Sequence, residues 1–506
     1  MSLYLTNTLS GKKELFKPLG DPVKIYICGM TVQGPPHFGH MRAYITSDIL
    51  IRYLQFSGYK TKVVQNFTDI DDKVIEKAQE QKIDYRVIAQ KNIDEYFEVA
   101  DKMNIKRADI YPKATQHIQE IIELVQKLID KGFAYESDGD VYFSVNNFKD
   151  YGKLSKKKLE DLIAGARVEI REHKKNPADF ALWKAAKKDE PYWQSPWSNG
   201  RPGWAIECSA MSICHLGETL DFHLGGEDLV FPHHENEIAQ SEAATGKEFV
   251  RFWIHNAMLN LTGEKMSKST KHFITAKELL SKYSANVIRL YFLKSHYRSP
   301  QEFDFSILDS SKEGWARIEE FLYAVEENHA KANPKSEALN PKLVEAMDDD
   351  LNTPKVIALV FDAIKDGFNA LQNKNSEEIN NKYNEVLFYL SNLGFRTDIK
   401  YRTEKRISMS GGTTASSSIE YRDVTKFVNA QELAKTKGHY NIANLIEASI
   451  NIIDMNMLIP IIRSIARDLA REKKEFEISD LLRKGLEEMG FTLEDTDKGT
   501  RIKRKK

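Results

Sequence analysis

An α/β fold built on a parallel sheet, with largely helical regions after it, is the class this sequence predicts, and three observations predict it. The β-prone run Val23–Ile27 stops at Cys28-Gly29 and leads through Gly34-Pro35-Pro36 into a long pattern with apolar residues at Met41, Tyr44, Ile45, Ile49, Tyr53 and Phe56. A second β-prone run, 60–67, gives way to helical patterns up to about residue 131. Runs at 221–224 and 252–261 return to β character before helical patterns take over from 275 to about 394. Strand and helix in alternation are what a parallel sheet with crossover helices requires.

Each element has a local reason. Apolar residues three or four apart give one buried helix face, and Gly58 stands where a C-cap glycine ends the helix. His37-Phe38-Gly39-His40 falls at the start of that helix, where free backbone N–H groups and the helix dipole favour an anion and two imidazoles add donors suited to a polyphosphate. From Gly132 the pattern changes: Asp138-Gly139-Asp140 reads as a turn between short strands at 133–136 and 141–145, and 177–202 is rich in Trp, Pro and Lys without clear periodicity. Beyond Trp204, Gly225-Gly226 permits close backbone approach to a ligand, and 233–244 reads as a helix. Lys265-Met266-Ser267-Lys268-Ser269 follows a turn at Thr262-Gly263, which places both lysines on an exposed loop. The stretch 396–418 has the composition of a flexible linker.

Composition narrows the class. A chain of 506 residues has length for about three domains. With 41% hydrophobic and 29% charged residues it reads as an ordinary soluble protein. No apolar run approaches the roughly 20 residues that cross a bilayer, and the first residues lack the basic and apolar regions of a secretory signal. Three cysteines argue for a reducing compartment, so the expected location is the cytoplasm. A net charge of −1 means that a nucleic acid would have to be met by local patches, of which two are visible: the four lysines in 153–158 and Arg501-Ile502-Lys503-Arg504-Lys505-Lys506.

His-x-Gly-His after a first strand, paired with Lys-Met-Ser-Lys-Ser far downstream, resembles the class I aminoacyl-tRNA synthetases. Cys28-Gly29, the run Asn66-Phe67-Thr68-Asp69-Ile70-Asp71-Asp72-Lys73, Gly203-Trp204-Ala205-Ile206-Glu207-Cys208-Ser209, and Gly225-Gly226-Glu227-Asp228 leading into Phe231-Pro232-His233-His234-Glu235-Asn236-Glu237 sharpen this to the cysteinyl-tRNA synthetase family. Two departures stand out: Phe38 where isoleucine is usual, and Gln33-Gly34-Pro35-Pro36 where many members have a Tyr-Asp pair. The resemblance implies a Rossmann-like catalytic domain in two halves, 1–114 and 203–260, split by a connective insertion at 115–202. A loop and stem-contact region at 261–310 would follow, then a helical-bundle anticodon-binding domain at 311–395, a linker at 396–420 and a small C-terminal domain at 421–506. Ala346-Met347-Asp348-Asp349-Asp350-Leu351-Asn352-Thr353-Pro354 matches the start of the family's anticodon-binding domain.

His233 and Glu237, four apart on a helix, share a face. By themselves Cys28 and Cys208, the latter read in a returning strand region, are best read as buried structural cysteines. The resemblance makes Cys28, Cys208, His233 and Glu237 the ligands of one Zn²⁺ per chain, which would select cysteine over serine by a thiolate bond. It leaves Cys214 in the core and His234 as a helix neighbour. It further implies L-cysteine, ATP with Mg²⁺, and tRNA(Cys) as substrates of a monomeric cysteine–tRNA ligase. His37, His40, Lys265 and Lys268 would be catalytic and, with Gly39 and Asp228, would bind ATP. Gly29, Thr68 and Trp204 would line the amino-acid pocket, Trp204 reading equally as a core aromatic. Two alternatives stay open: a cysteine ligase acting on an amino sugar, and an inactive tRNA-binding paralogue.

Overall fold

The computed structural model describes residues 2–156, 174–261, 274–327, 340–397, 491–496 and 499–504. Lys157, Lys158, Lys265, Lys268 and nearly all of the linker expected at 396–420 lie outside these residues.

Four parallel strands form the central sheet in the order Val250–Asn256, Leu220–Gly226, Val23–Ile27, Thr61–Gln65. The residues facing both ways are buried, as in Val23, Ile25, Tyr26 and Ile27, which explains the β-branched, nearly continuous apolar runs. From the Val23–Ile27 strand the chain first crosses to Thr61–Gln65 on one side and much later to Leu220–Gly226 on the other. The C-terminal ends of Val23–Ile27 and Leu220–Gly226 therefore flank a topological switch point, the place where open α/β sheets bind ligands. Register holds the two ends together: Ile27 pairs with Leu224, and the Cys28 N–H donates to the Leu224 carbonyl at 2.9 Å.

The helix after the first strand runs Phe38–Phe56 and is capped at Ser57, just before Gly58. One buried face was the expectation; instead Met41, Arg42, Tyr44, Ile45, Asp48, Ile49 and Leu50 are all buried. This helix packs on the sheet and also on the helices Ala285–Leu293 and Ser376–Asn392, so it has little solvent face to show.

The stretch 177–202, which showed no periodicity, carries the strands Phe180–Ala185, Trp193–Gln194 and Asn199–Pro202. They join the hairpin Ala134–Ser137 and Asp140–Phe143 in a five-stranded antiparallel sheet. A further correction concerns Cys208. It sits in the helix Ile206–Leu216 and not in a strand, and that helix hides from a periodicity test because Ile206 through Ser212 are buried without interruption.

Downstream, Phe305–Glu327, Pro341–Asp348, Thr353–Gln372 and Ser376–Asn392 pack as a helical bundle. Three successive aspartates fasten it to the N-terminal segment. Asp348 accepts from the Ser2 N–H at 2.9 Å and the Tyr53 hydroxyl at 2.6 Å, and Asp349 pairs with Lys13. Asp350 accepts from the Thr6 N–H at 2.8 Å, the Thr6 hydroxyl at 2.6 Å and the Tyr297 hydroxyl at 2.7 Å. In the C-terminal unit, Phe491–Thr496 and Gly499–Arg504 form an antiparallel hairpin. Among the described residues no helix is long and apolar enough to cross a membrane.

Candidate active site

Cys28 and Gly29 end the first strand of the switch point, and Gly225 and Gly226 end its neighbour. Each pair has a steric reason. A Cβ on Gly29 would lie 1.6 Å from the Asn66 carbonyl oxygen, and one on Gly225 would lie 2.6 Å from the His234 ring. The Gly29 N–H donates to Asn66 Oδ1 at 2.7 Å.

Past the cis Phe231-Pro232 bond, the backbone turns from Val230–His234 into the helix Glu235–Thr245, and this turn presents His233, His234 and Glu237 to Cys28. All four are buried, and one ligand atom from each lies within 4.8 Å of the other three. His233 Nε2 is 3.5 Å from Cys28 Sγ and 3.2 Å from Glu237 Oε1. Cys208, expected as a further ligand, is buried and acts electrostatically on Cys28, but it is not one of the four residues whose ligand atoms meet. Cys208 and His233 lower the Cys28 thiol to about 6 against the effect of burial, while burial and the Cys28 charge push the Cys208 thiol up. Burial alone would lower His233, but Cys28 and Glu237 outweigh it and raise this imidazole. The surroundings of Cys28 thus favour its thiolate form.

Whether these residues fit a metal ion is answered by their hydrogen bonds. Glu237 Oε2 accepts from His223 Nε2 at 2.9 Å, which fixes the carboxylate, yet Oε1 makes no hydrogen bond although it is fully buried. His234 Nε2 is likewise buried without a hydrogen bond, its other nitrogen being taken by His255 at 2.7 Å. Buried polar atoms are seldom left so. Sulfur, imidazole and carboxylate around two such atoms make a donor set that suits Zn²⁺.

Trp204 is 41% exposed and its ring lies 4.4 Å from that of His233, so it covers the cluster and is not a core aromatic. Thr68 is buried beside the site and donates its hydroxyl to Glu207. Burial holds the Glu207 carboxyl well above its usual range, only partly opposed by the Thr68 bond. Cys214 is exposed at the end of its helix, contrary to its expected core position. Glu207 and the buried His223 and His255 were not picked out from sequence; a histidine inside an apolar β-run, as in Asp221-Phe222-His223-Leu224, is the signal that would have found the last two.

At the helix start the expected pair takes an unexpected form. The His40 N–H donates to His37 Nδ1 and the His37 N–H to His40 Nδ1, each at 3.3 Å, with the rings stacked at 3.4 Å between centroids. These two backbone N–H groups are therefore used by the imidazoles and do not serve an anion. Because both Nδ1 atoms accept, each neutral ring carries its proton on Nε2, which becomes the donor. Burial lowers His37 to about 4, and burial together with the His37 ring holds His40 well below the usual imidazole range. Asp228 is exposed just beyond Gly226, and Gly39 lies under the His37 ring. Thr275 bridges His37, and the Phe38 N–H donates to the Ile274 carbonyl at 3.2 Å, so the chain re-enters at this point after the lysine motif.

Comparison with known proteins agrees with this geometry. Residues 15–313 match the family model of the tRNA synthetases class I (C) catalytic domain, and residues 342–395 match the DALR domain. A cysteine–tRNA ligase of Sulfurihydrogenibium sp. is 43% identical with both chains covered in full, and one of Persephonella marina is also 43% identical over the whole of each chain. The chain belongs to the cysteine–tRNA ligase family. The family's Thermotoga maritima member is 40% identical over 98% of this chain and 99% of its own. Among solved structures, Mycobacterium tuberculosis methionyl-tRNA synthetase in complex with methionyl-adenylate superposes with a TM-score of 0.55 at 15% identity, covering 74% of this chain and 90% of the other. At that identity the likeness is one of fold, and it supports the class I architecture of the sheet.

Proposed function

We propose that this chain is a cysteine–tRNA ligase, which joins L-cysteine to ATP's α-phosphate to give cysteinyl-adenylate and pyrophosphate, and then passes the cysteinyl group to the terminal ribose of tRNA(Cys). The observation that carries it is the buried Cys28, His233 and Glu237 cluster at the sheet's switch point, with Cys208 against it. Cys28, Cys208, His233 and Glu237, with His234 adjoining, would hold one Zn²⁺, whose chemistry is to bind the substrate thiol, a bond that serine does not offer.

The chain's own residues do the rest by position. Trp204 closes over the cluster and keeps water from the bound side chain. Thr68 and Gly29 shape the wall behind it, and His223 holds Glu237 in place. His37 and His40 offer neutral Nε2–H donors to the phosphates, and donors aimed at charge that develops in the transition state are worth most. Lys265 and Lys268 are assigned to the leaving pyrophosphate and Asp228 to the adenosine ribose, with Mg²⁺ accompanying ATP. The docking of Ile274 and Thr275 beside His37 supports the lysine assignment, because it tethers the motif six residues from Lys268. No side-chain nucleophile is needed; positioning and charge stabilisation suffice.

The reading extends to a monomeric cytoplasmic protein with the domain limits given above and a contact of the basic tail 501–506 with the tRNA phosphate backbone. The amino-sugar ligase alternative is not favoured, since the relatives match along the whole chain and residues 342–395 match the DALR domain. Cysteine-dependent ATP–pyrophosphate exchange, with serine as control and before and after chelation, tests the reading. Exchange with cysteine alone, lost on chelation and restored by Zn²⁺, is the expected result; zinc-loaded protein inert to every amino acid would overturn it.

A further inference from the structure

A second group of metal-ligating side chains meets where the reaction needs none. His117 stands at the start of the helix Ile118–Asp130, and Cys214 and His215 occupy the last turn of Ile206–Leu216. One ligand atom from each of the three lies within 4.8 Å of the other two. The two imidazoles face each other through Nε2, 2.8 Å apart.

The protons on these rings follow from their partners. His117 Nδ1 lies 2.9 Å from the Lys113 carbonyl oxygen, and because a carbonyl only accepts, Nδ1 carries the hydrogen. In an imidazole with its hydrogen on Nδ1, Nε2 is the nitrogen with the lone pair, and here it faces His215. A backbone carbonyl on one nitrogen and an open lone pair on the other is the arrangement that orients metal-bound histidines. Lys62 donates to the His215 carbonyl at 2.7 Å and fixes the helix end that carries the other two donors.

We propose that His117, Cys214 and His215 form a second cation site, separate from the active site, that takes a borderline or soft transition-metal ion, Zn²⁺ foremost. Two imidazoles and a thiolate favour Zn²⁺ over Mg²⁺ or Ca²⁺, which prefer oxygen. Nitrogen–zinc bonds of about 2.0–2.1 Å at a tetrahedral angle put the two nitrogens about 3.3 Å apart. The rings therefore need to part by about half an ångström, which the solvent-facing end of a helix permits. Glu120, in the first turn of Ile118–Asp130, acts electrostatically on both Cys214 and His215 and offsets the cation's charge. The fourth position faces water.

Such an ion would be a clasp. His117 and His215 are 98 residues apart, and the five-stranded antiparallel sheet lies in the chain between them. Tying the two ends restricts the unfolded segment, an effect that grows slowly with loop length.

The test uses full-length protein, stripped with a chelator, dialysed against Zn²⁺ and compared with Cys214→Ser and His117→Gln. Each variant should hold one zinc ion fewer per chain than the wild type by elemental analysis, while cysteine-dependent exchange stays within about twofold. Saturating Zn²⁺ should also slow modification of the exposed Cys214 by a thiol reagent at least tenfold in the wild type, mapped by mass spectrometry, and not in His117→Gln. Equal zinc content in wild type and variants, or a Cys214 rate indifferent to Zn²⁺, would overturn the proposal. Since the readout is a difference between wild type and variant, it stands whatever the active site holds.

Discussion

Asp350 and Glu237 are both buried carboxylates, 3% and 0% exposed, and they are treated in opposite ways. Both oxygens of Asp350 are engaged, by the Thr6 N–H and hydroxyl, by the Tyr297 hydroxyl, and by Arg298 at 3.4 Å. Glu237 is held through one oxygen by His223, and its other oxygen is left without a hydrogen bond beside Cys28 and His233. A closed polar knot rigidifies and specifies a fold; an open one costs stability unless a ligand completes it. The difference separates a joint from a binding site without reference to any relative.

The comparison can be broken first at the open cluster. Cys28→Ser removes the thiolate, and most of a cysteine-over-serine preference of about 10⁴ should go with it, measured as kcat/KM in pyrophosphate exchange. The melting temperature should stay close to that of the wild type; a protein that unfolds instead would make Cys28 a structural residue. At the closed knot the outcome reverses. Asp350→Ala strands buried donors and should cost about 3 kcal/mol in urea unfolding, with amino-acid preference unchanged in the folded fraction. A loss below about 0.5 kcal/mol would mean that solvent replaces the knot, within the range of surface substitutions.

A smaller effect is carried by pH. His37, lowered to about 4, and His40, held well below its usual range, bind protons less readily folded than unfolded. The stability they contribute is full above the unfolded histidine value of about 6.5 and is lost as pH falls through it toward the folded values. The urea midpoint should therefore drop between pH 7 and pH 5, and a His37→Gln, His40→Gln double variant should show a shallower drop. Smallest of all, Glu237→Gln in metal-free protein should change stability by less than about 1 kcal/mol, because the oxygen it replaces has no hydrogen bond to lose. Destabilisation as large as that of Asp350→Ala would erase the distinction between the two carboxylates.

Much of this was legible in the sequence where local chemistry decides structure. Val23–Ile27, the cap before Gly58, the Asp138-Gly139 hairpin and the helix that starts after Thr275 all follow from short-range patterns. Legibility failed where burial is complete. Helix Ile206–Leu216 has no polar stripe to reveal its period, so Cys208 was read as part of a strand. The strands between Phe180 and Pro202 are too short, and too rich in Trp, Pro and Lys, to alternate visibly. In the site, His233 and Glu237 could be paired by spacing, but their meeting with Cys28 and His223 depends on strand order, which no local window contains. Likewise the reciprocal bonds between His37 and His40, which occupy the backbone N–H groups expected to be free, were not visible in the sequence.

The three-aspartate joint also sets a clock. Thr6 and the Asp350 that holds it are 344 residues apart, so the N-terminal segment is made long before its anchor. At about 5–20 residues per second, the ribosome takes roughly 17–70 s to supply that anchor. For that time Leu3 and Leu5, buried in the finished protein, wait without the aspartates that later pin their strand. The segment is therefore secured in stages, first where Asn7 and Thr8 meet Arg251 and Trp253 and only later at the aspartates.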